Sequence, residues 1–136
     1  MKAKRLYLLI AVIGFPLALL AERVSGEIIY SASPSVAGDR IMMYSKTGVP
    51  STFAFNGLDR PSSVTFDSAG NLYTVNQGNR TIERFTPGGA FSVFASSGVG
   101  ASTRDAAFDR AGNLFVINNN SNTIEKFSSD GTPSLF

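Results

Sequence analysis

From Glu27 onward the chain is a succession of short apolar-rich runs separated by clusters of Gly, Asn, Asp, Ser and Pro. In the clearest stretch Ser63-Val64-Thr65-Phe66 predicts a strand, and Asp67-Ser68-Ala69-Gly70-Asn71 the turn that reverses it. Leu72 to Asn76, Thr81 to Phe85 and Phe91 to Phe94 predict three more strands, with Pro87-Gly88-Gly89 turning the chain between the last two. Gly70 can take a positive φ at little steric cost, and Asp67 and Asn71 can hydrogen-bond turn backbone through their side chains. Leu72 alternates with Tyr73 and Val75, and Leu114 with Phe115 and Ile117, so both faces of these strands are apolar. A sheet with one wet face would alternate more cleanly. The pattern therefore predicts sheets covered on both sides.

The same pattern is written twice. A shift of 42 positions lays Phe66-Asp67-Ser68-Ala69-Gly70-Asn71-Leu72-Tyr73 on Phe108-Asp109-Arg110-Ala111-Gly112-Asn113-Leu114-Phe115, and the register holds through Thr123-Ile124-Glu125-Lys126-Phe127 to Ser134-Leu135-Phe136. A weaker third copy precedes these. Arg40 to Ser45 matches Thr81 to Thr86, Gly48 to Phe53 matches Gly89 to Phe94, and Glu27-Ile28-Ile29-Tyr30 resembles Asn71-Leu72-Tyr73-Thr74, with a few extra residues between Ser33 and Asp39. A repeat of this length, made of short strands and tight turns, predicts an all-β fold of β-propeller blades, each of four antiparallel strands. The segments expected are a partial first blade over 27–57 and two repeats over 58–99 and 100–136.

Length limits how far such a fold can close. Two and a half repeats fall short of the roughly four to eight blades of a closed ring. The expectation is a truncated gene product or a fragment of a larger propeller, with assembly from several copies as the alternative. Outer faces of the first and last sheets are then expected to expose apolar residues such as Tyr73 or Phe115.

The N-terminus is a different kind of sequence. Lys2, Lys4 and Arg5 precede an uncharged apolar run from Leu6 to Ala21, and the small residues Ser25 and Gly26 follow. This is the order of a secretory signal, with cleavage expected after Gly26 and Ala21 as second choice. The run is interrupted by Gly14 and Pro16 and is shorter than the roughly 20 residues that span a bilayer. Contact with a membrane is expected only through this segment, and the product is expected to be secreted or to lie in the periplasm or cell envelope.

Removing residues 1–26 changes the charge balance. The whole chain carries 12 Lys+Arg and 10 Asp+Glu, but the remainder holds eight against nine. No Lys/Arg cluster is left to neutralise phosphates, which argues against nucleic acid as a partner. Cysteine and histidine are both absent. Disulfides, a Ser-His-Asp triad, a Cys-His pair and an imidazole-ligated zinc site are thereby excluded from these residues.

The strings Arg60-Pro61-Ser62-Ser63-Val64-Thr65-Phe66-Asp67, Gly70-Asn71-Leu72-Tyr73-Thr74-Val75-Asn76 and Asn79-Arg80-Thr81-Ile82-Glu83-Arg84-Phe85 resemble NHL repeats. The resemblance covers most of Ile28 to Phe136 and extends, at the level of the blade, to gluconolactonase-like and streptogramin-lyase-like propellers. It is greatest to bacterial exported proteins built of many copies of the repeat. The second repeat departs from the pattern at Thr103, where the strand-leading proline is missing, and at Ala106-Ala107; Asn76 and Asn118 stand where many NHL repeats have Asp. The resemblance implies a propeller without assigning it a chemistry.

Gluconolactonase-like enzymes hold a divalent metal with single side chains from different blades, and Asp67, Asn71, Asp109 and Asn113 are oxygen ligands of the right type for calcium. Their recurrence at identical turn positions is what a structural turn produces, so turn hydrogen bonding is their expected role and no cofactor is assigned. The Glu-Gly-Pro segment expected near the start of a gluconolactonase-type propeller is also absent. Asn76 and Asn118, each ending a second strand, could offer amides to a ligand in the channel; bonding to backbone is the alternative. Glu83 and Glu125, next to Arg84 and Lys126, read as repeated surface charges and not as catalytic groups. The expected function is an exported, non-catalytic scaffold that binds a protein, a glycan or a small ligand. The alternative is part of a metal-dependent lactonase- or lyase-like enzyme whose active-site blades lie elsewhere.

Overall fold

A computed structural model describes residues 28–35 and 38–136. The signal-segment reading of residues 1–26 lies outside the described residues. Eleven strands and no helix are found among those described. They are β1 (Ile29–Ser33), β2 (Arg40–Tyr44), β3 (Pro50–Ala54), β4 (Pro61–Phe66), β5 (Leu72–Asn76), β6 (Thr81–Phe85), β7 (Phe91–Ala95), β8 (Thr103–Phe108), β9 (Leu114–Asn118), β10 (Thr123–Phe127) and β11 (Pro133–Leu135). They form three antiparallel meanders, β1-β2-β3, β4-β5-β6-β7 and β8-β9-β10-β11.

The repeat is visible in the hydrogen-bond register. β1, β2 and β3 occupy the positions that β5, β6 and β7 hold in the second sheet. A register shift recurs in the first strand pair of the two complete sheets, at Pro61/Ser63 and at Thr103/Ala106. Another recurs between the third and fourth strand positions, at Ile41/Met42 and Ile82/Glu83. Bulges of this kind add local twist, which lets consecutive sheets fan about a common side. β4 and β8, the first strands of their sheets, lie side by side on that inner side.

Two apolar layers join the sheets. Between the first and second, Ile41 and Ala54 meet Val64, Leu72 and Phe85, with Tyr30, Ala32, Phe53, Leu58 and Phe66 packed around them. Between the second and third, Tyr73, Val75, Ile82, Ala95 and Val99 meet Ala106, Leu114, Val116 and Phe127. The middle sheet is thus covered on both faces, and β5 is buried along its whole length.

Two expectations need correction here. Tyr73 is 5% exposed, because it belongs to the middle sheet and points at the third, where its ring packs against Phe94 at 5.0 Å and Phe108 at 4.8 Å. Phe115, its counterpart in the third sheet, is half-buried, with Phe136 at 5.0 Å and Lys126 Nζ over its ring at 5.9 Å, both from its own end of the stack. Glu83 is not a surface charge: it is 3% exposed. Side chains alternate along β6, so Glu83 shares the face of Phe85, and the first sheet covers that face.

Candidate functional site

An antiparallel meander sends its turns alternately to two ends, and the candidate residues divide between them. Asp67, Asn71, Asp109 and Asn113 lie at one end, in the β4–β5 and β8–β9 turns, while Asn76 and Asn118 finish β5 and β9 at the other.

At the first end each aspartate closes its own turn. Asp67 Oδ1 accepts hydrogen bonds from the backbone N–H groups of Ala69 and Asn71, both at 2.9 Å, and Oδ2 accepts from Asn71 Nδ2 at 2.7 Å and the Tyr73 hydroxyl at 3.3 Å. Asp109 repeats this with Asn113 N at 2.9 Å and Asn113 Nδ2 at 2.8 Å. Partial burial pushes the Asp67 carboxyl up, but the hydrogen bonds from Asn71, Ala69 and Tyr73 outweigh it and hold the group below the usual aspartate range. Asp109 is held below that range chiefly by the side chain and backbone of Asn113.

The same backbone turn is built without a carboxylate at its first position elsewhere. Ser45, Thr86 and Ser128 each donate N–H to the carbonyl four residues on and accept from the glycine N–H three residues on, as Asp67 and Asp109 do. The carboxylates are therefore one of several ways to cap one turn. The Asp67 carboxylate accepts four hydrogen bonds and that of Asp109 two, and among the described residues no three acidic, His or Cys side chains gather to hold a cation. The carboxylates thus serve their own turns, and no calcium site is shown among the described residues.

Substituting Asp67 by Ala is expected to lower stability toward the small end of the roughly 0.5–2 kcal/mol typical of a lost cap, since the carboxylate is only half-buried. Because its folded pKa is depressed, the contribution is complete above the ordinary aspartate range and disappears as pH falls through the folded value. Urea unfolding of both proteins at neutral and acid pH, with and without calcium, checks this. A calcium-dependent rise in stability that the substitution abolishes would restore the metal reading.

At the opposite end the two asparagines work as staples. Asn76 Oδ1 accepts from Asp59 N at 3.2 Å and its Nδ2 donates to Gly57 O at 2.7 Å. Asn118 Oδ1 accepts from Gly100 N at 3.0 Å and its Nδ2 donates to Gly98 O at 3.4 Å. Each amide thus ties down the connector arriving from the preceding sheet, 55–60 or 96–102. Gly57 and Gly98 bend these connectors at φ 74 and 75, and a Cβ on Gly98 would fall 2.6 Å from Pro133 Cβ. Both asparagines are buried, so neither amide reaches the surface. The exposed groups at this end include Arg60 and Arg80, held at φ 52 and 58, with Asn56, Asn79, Asn119, Asn120 and Asn122, and Arg60 lies beside an open recess lined by Asp39, Arg40, Phe53, Phe55 and Leu58.

Sequence reasoning missed one polar group. Asn76 Nδ2 donates to Thr81 Oγ1 at 3.2 Å, and that hydroxyl lies 3.1 Å from Glu83 Oε1. Glu83 Oε2 has no hydrogen-bond partner. Burial pushes the Glu83 carboxyl above the usual glutamate range, with the Thr81 bond opposing it. The signal was the strand alternation itself, which puts residue 83 on the same face as Phe85.

Comparison with solved structures decides the architecture. A crystal structure of a nidogen/laminin complex matches 80% of this chain and 45% of that chain, with a TM-score of 0.68 at 17% identity. Virginiamycin B lyase from Staphylococcus aureus matches 80% of this chain and 40% of its own, with a TM-score of 0.61 at 16% identity. The chain is built of β-propeller blades. A regucalcin from Agrobacterium tumefaciens, described as calcium-binding, and a gluconolactonase from Xanthomonas campestris share the fold at a TM-score of 0.59 each, with 20% and 24% identity, over 70% and 77% of this chain and 35% and 36% of theirs. The chain spans less than half the length of these propellers. No family model and no curated protein matches it. Binding proteins and enzymes both occur among these neighbours, so blade geometry alone assigns no activity.

Proposed function

We propose that the chain is an exported, non-catalytic β-propeller scaffold that engages a protein, a glycan or a small ligand through the connectors and turns at one end of its blades. The observation that carries this reading is that Asp67, Asn71, Asp109, Asn113, Asn76 and Asn118 all spend their polar atoms on turns and connectors. The end carrying Arg60, Arg80 and the recess beside Phe55 is the surface left for recognition. Assays of the purified chain for lactone hydrolysis and for streptogramin linearisation, with calcium and with chelator, test it. Rates at the buffer background are expected. Calcium-dependent turnover lost in Asp109→Asn would assign the chain to the lactonase or lyase class instead.

Export rests on the order of charge, apolar run and small residues over 1–26. Mass spectrometry of the chain recovered from periplasm or medium is expected to show a product beginning near Glu27. A soluble cytosolic product that retains Met1 would remove the localisation from the proposal.

A further inference from the structure

The inter-sheet contact is made twice among the described residues, and one half of it stands open on the third sheet while the other lies half-buried on the first. Phe115, Ile117, Ile124 and Phe136 occupy, 42 positions on, the places of Tyr73, Val75, Ile82 and Phe94. In the middle sheet Val75 and Ile82 are 1% and 0% exposed, whereas Ile117, Ile124 and Phe136 are 45%, 39% and 76% exposed. The two faces differ in cover and hardly in composition. Even the aromatic pairing is in place: Phe115 and Phe136 meet edge-to-face at 5.0 Å and 87°, as Tyr73 and Phe94 do at 5.0 Å and 88°.

The first sheet presents the other half. Tyr30 and Ala32 pack on the second sheet, so alternation turns Ile29 and Ser31 to the other face, and the β1–β2 register places Tyr44 beside Ile29 and Met42 beside Ser31 there, with Ile29, Met42 and Tyr44 half-buried and Ser31 8% exposed. By the strand register, in which Ile29 pairs with Tyr44 as Leu72 pairs with Phe85, Ile29, Met42 and Tyr44 stand where Leu72, Glu83 and Phe85 stand in the second sheet, one residue off the sequence match of Ile28 with Leu72. There, Phe85 reaches across to Phe53 of the preceding sheet at 6.3 Å. Phe136 is the counterpart of Phe53, and Tyr44 the counterpart of Phe85.

We propose that the outer face of the third sheet receives the outer face of the first sheet of a second copy of this chain, with Phe136 of one copy against Tyr44 of the other. Such a head-to-tail contact must either close or run on into a fibre. The described residues of two copies supply six sheets, within the range of about four to eight that rings contain. The described blades match 40% to 45% of two of the solved propellers. The association buries on each chain an apolar face of the kind that soluble monomers keep covered.

Sedimentation velocity of the full chain, purified as the cell processes it, reads the outcome. A two-chain species is expected. Phe136→Ser and Ile124→Lys on one face, and Met42→Lys on the other, are each expected to weaken it by about tenfold or more. Phe136 is the most exposed of these positions, so its variant keeps the test readable if Ile124→Lys fails to fold. Mixing Phe136→Ser with Met42→Lys leaves one intact junction and is expected to restore a two-chain species. A pair indifferent to Met42→Lys would mean that third sheets meet each other, and overturns the proposal. Open-ended polymers overturn it as well. A chain that stays monomeric at all concentrations, yet gains cooperative stability when a fourth repeat bearing the counterpart of Phe66 and Phe108 is appended, would assign the face to a further blade and not to a second copy.

Discussion

Replacing Phe85 by alanine is expected to lower stability by about 3–5 kcal/mol, the cost typical of truncating a fully buried phenylalanine. Phe85 is completely buried and closes the layer between the first and second sheets, with Phe53 across the interface at 6.3 Å and Phe91 of its own sheet at 5.9 Å. Alanine would leave a void walled by rigid strands, which collapse poorly onto it. Against a domain stability of about 5–15 kcal/mol, that loss removes a large share. Urea unfolding should show the transition moved to much lower denaturant, or no native baseline at all. Phe91→Ala is the control, since Phe91 is half exposed and its loss opens no interior void. A cost for Phe85→Ala no larger than for Phe91→Ala would mean that the first two sheets are not packed through this ring.

Glu83→Gln is expected to act in the opposite direction. The carboxyl is buried, Oε2 has no partner, and its folded pKa lies above the ordinary glutamate value. The folded state therefore holds this proton more tightly than the unfolded chain does. The native glutamate contributes fully at pH below the unfolded value, near 4.3, and loses ground as pH rises through the folded one. Glutamine keeps the shape and the acceptor facing Thr81 without a charge to desolvate. Near pH 4 the two proteins should be of similar stability; at pH 8 the glutamine form should be more stable by about 1–3 kcal/mol, because the amide that replaces the unpartnered Oε2 carries no charge into the interior. Asp67 and Asp109 titrate alike in both proteins, so their acid-range losses cancel in the comparison. Equal stability at pH 8 would show that the carboxylate has a partner in solution.

Much of the architecture could be read locally. The strands expected over Leu72 to Asn76 and Thr81 to Phe85 are β5 and β6 to the residue, and β4 and β7 extend the other two expected strands by a residue or two. Turns were legible because a Gly at positive φ, closed by Asp, Ser or Thr three residues earlier, is a short-range solution that five residues can encode. The candidate sites were legible only as residue types. Asn76 finds its partner at Gly57, across the chain reversal that leads from one sheet to the next, and no spacing within the repeat shows it.

By itself, then, the sequence determined the strands, their reversals and the period, because φ preferences, turn capping and side-chain alternation act over a few residues and were repeated 42 positions apart. It did not determine burial. Tyr73 and Phe115 are equivalent residues on equivalent strands, as are Ile82 and Ile124, yet one of each pair is interior and the other is left at or near the surface. Tertiary structure decided that difference, because the cover over each face is a neighbouring sheet and not a property of the strand. The same cover turned Glu83 from an apparent surface charge into a buried acid, since the first sheet removes the water that would otherwise solvate it.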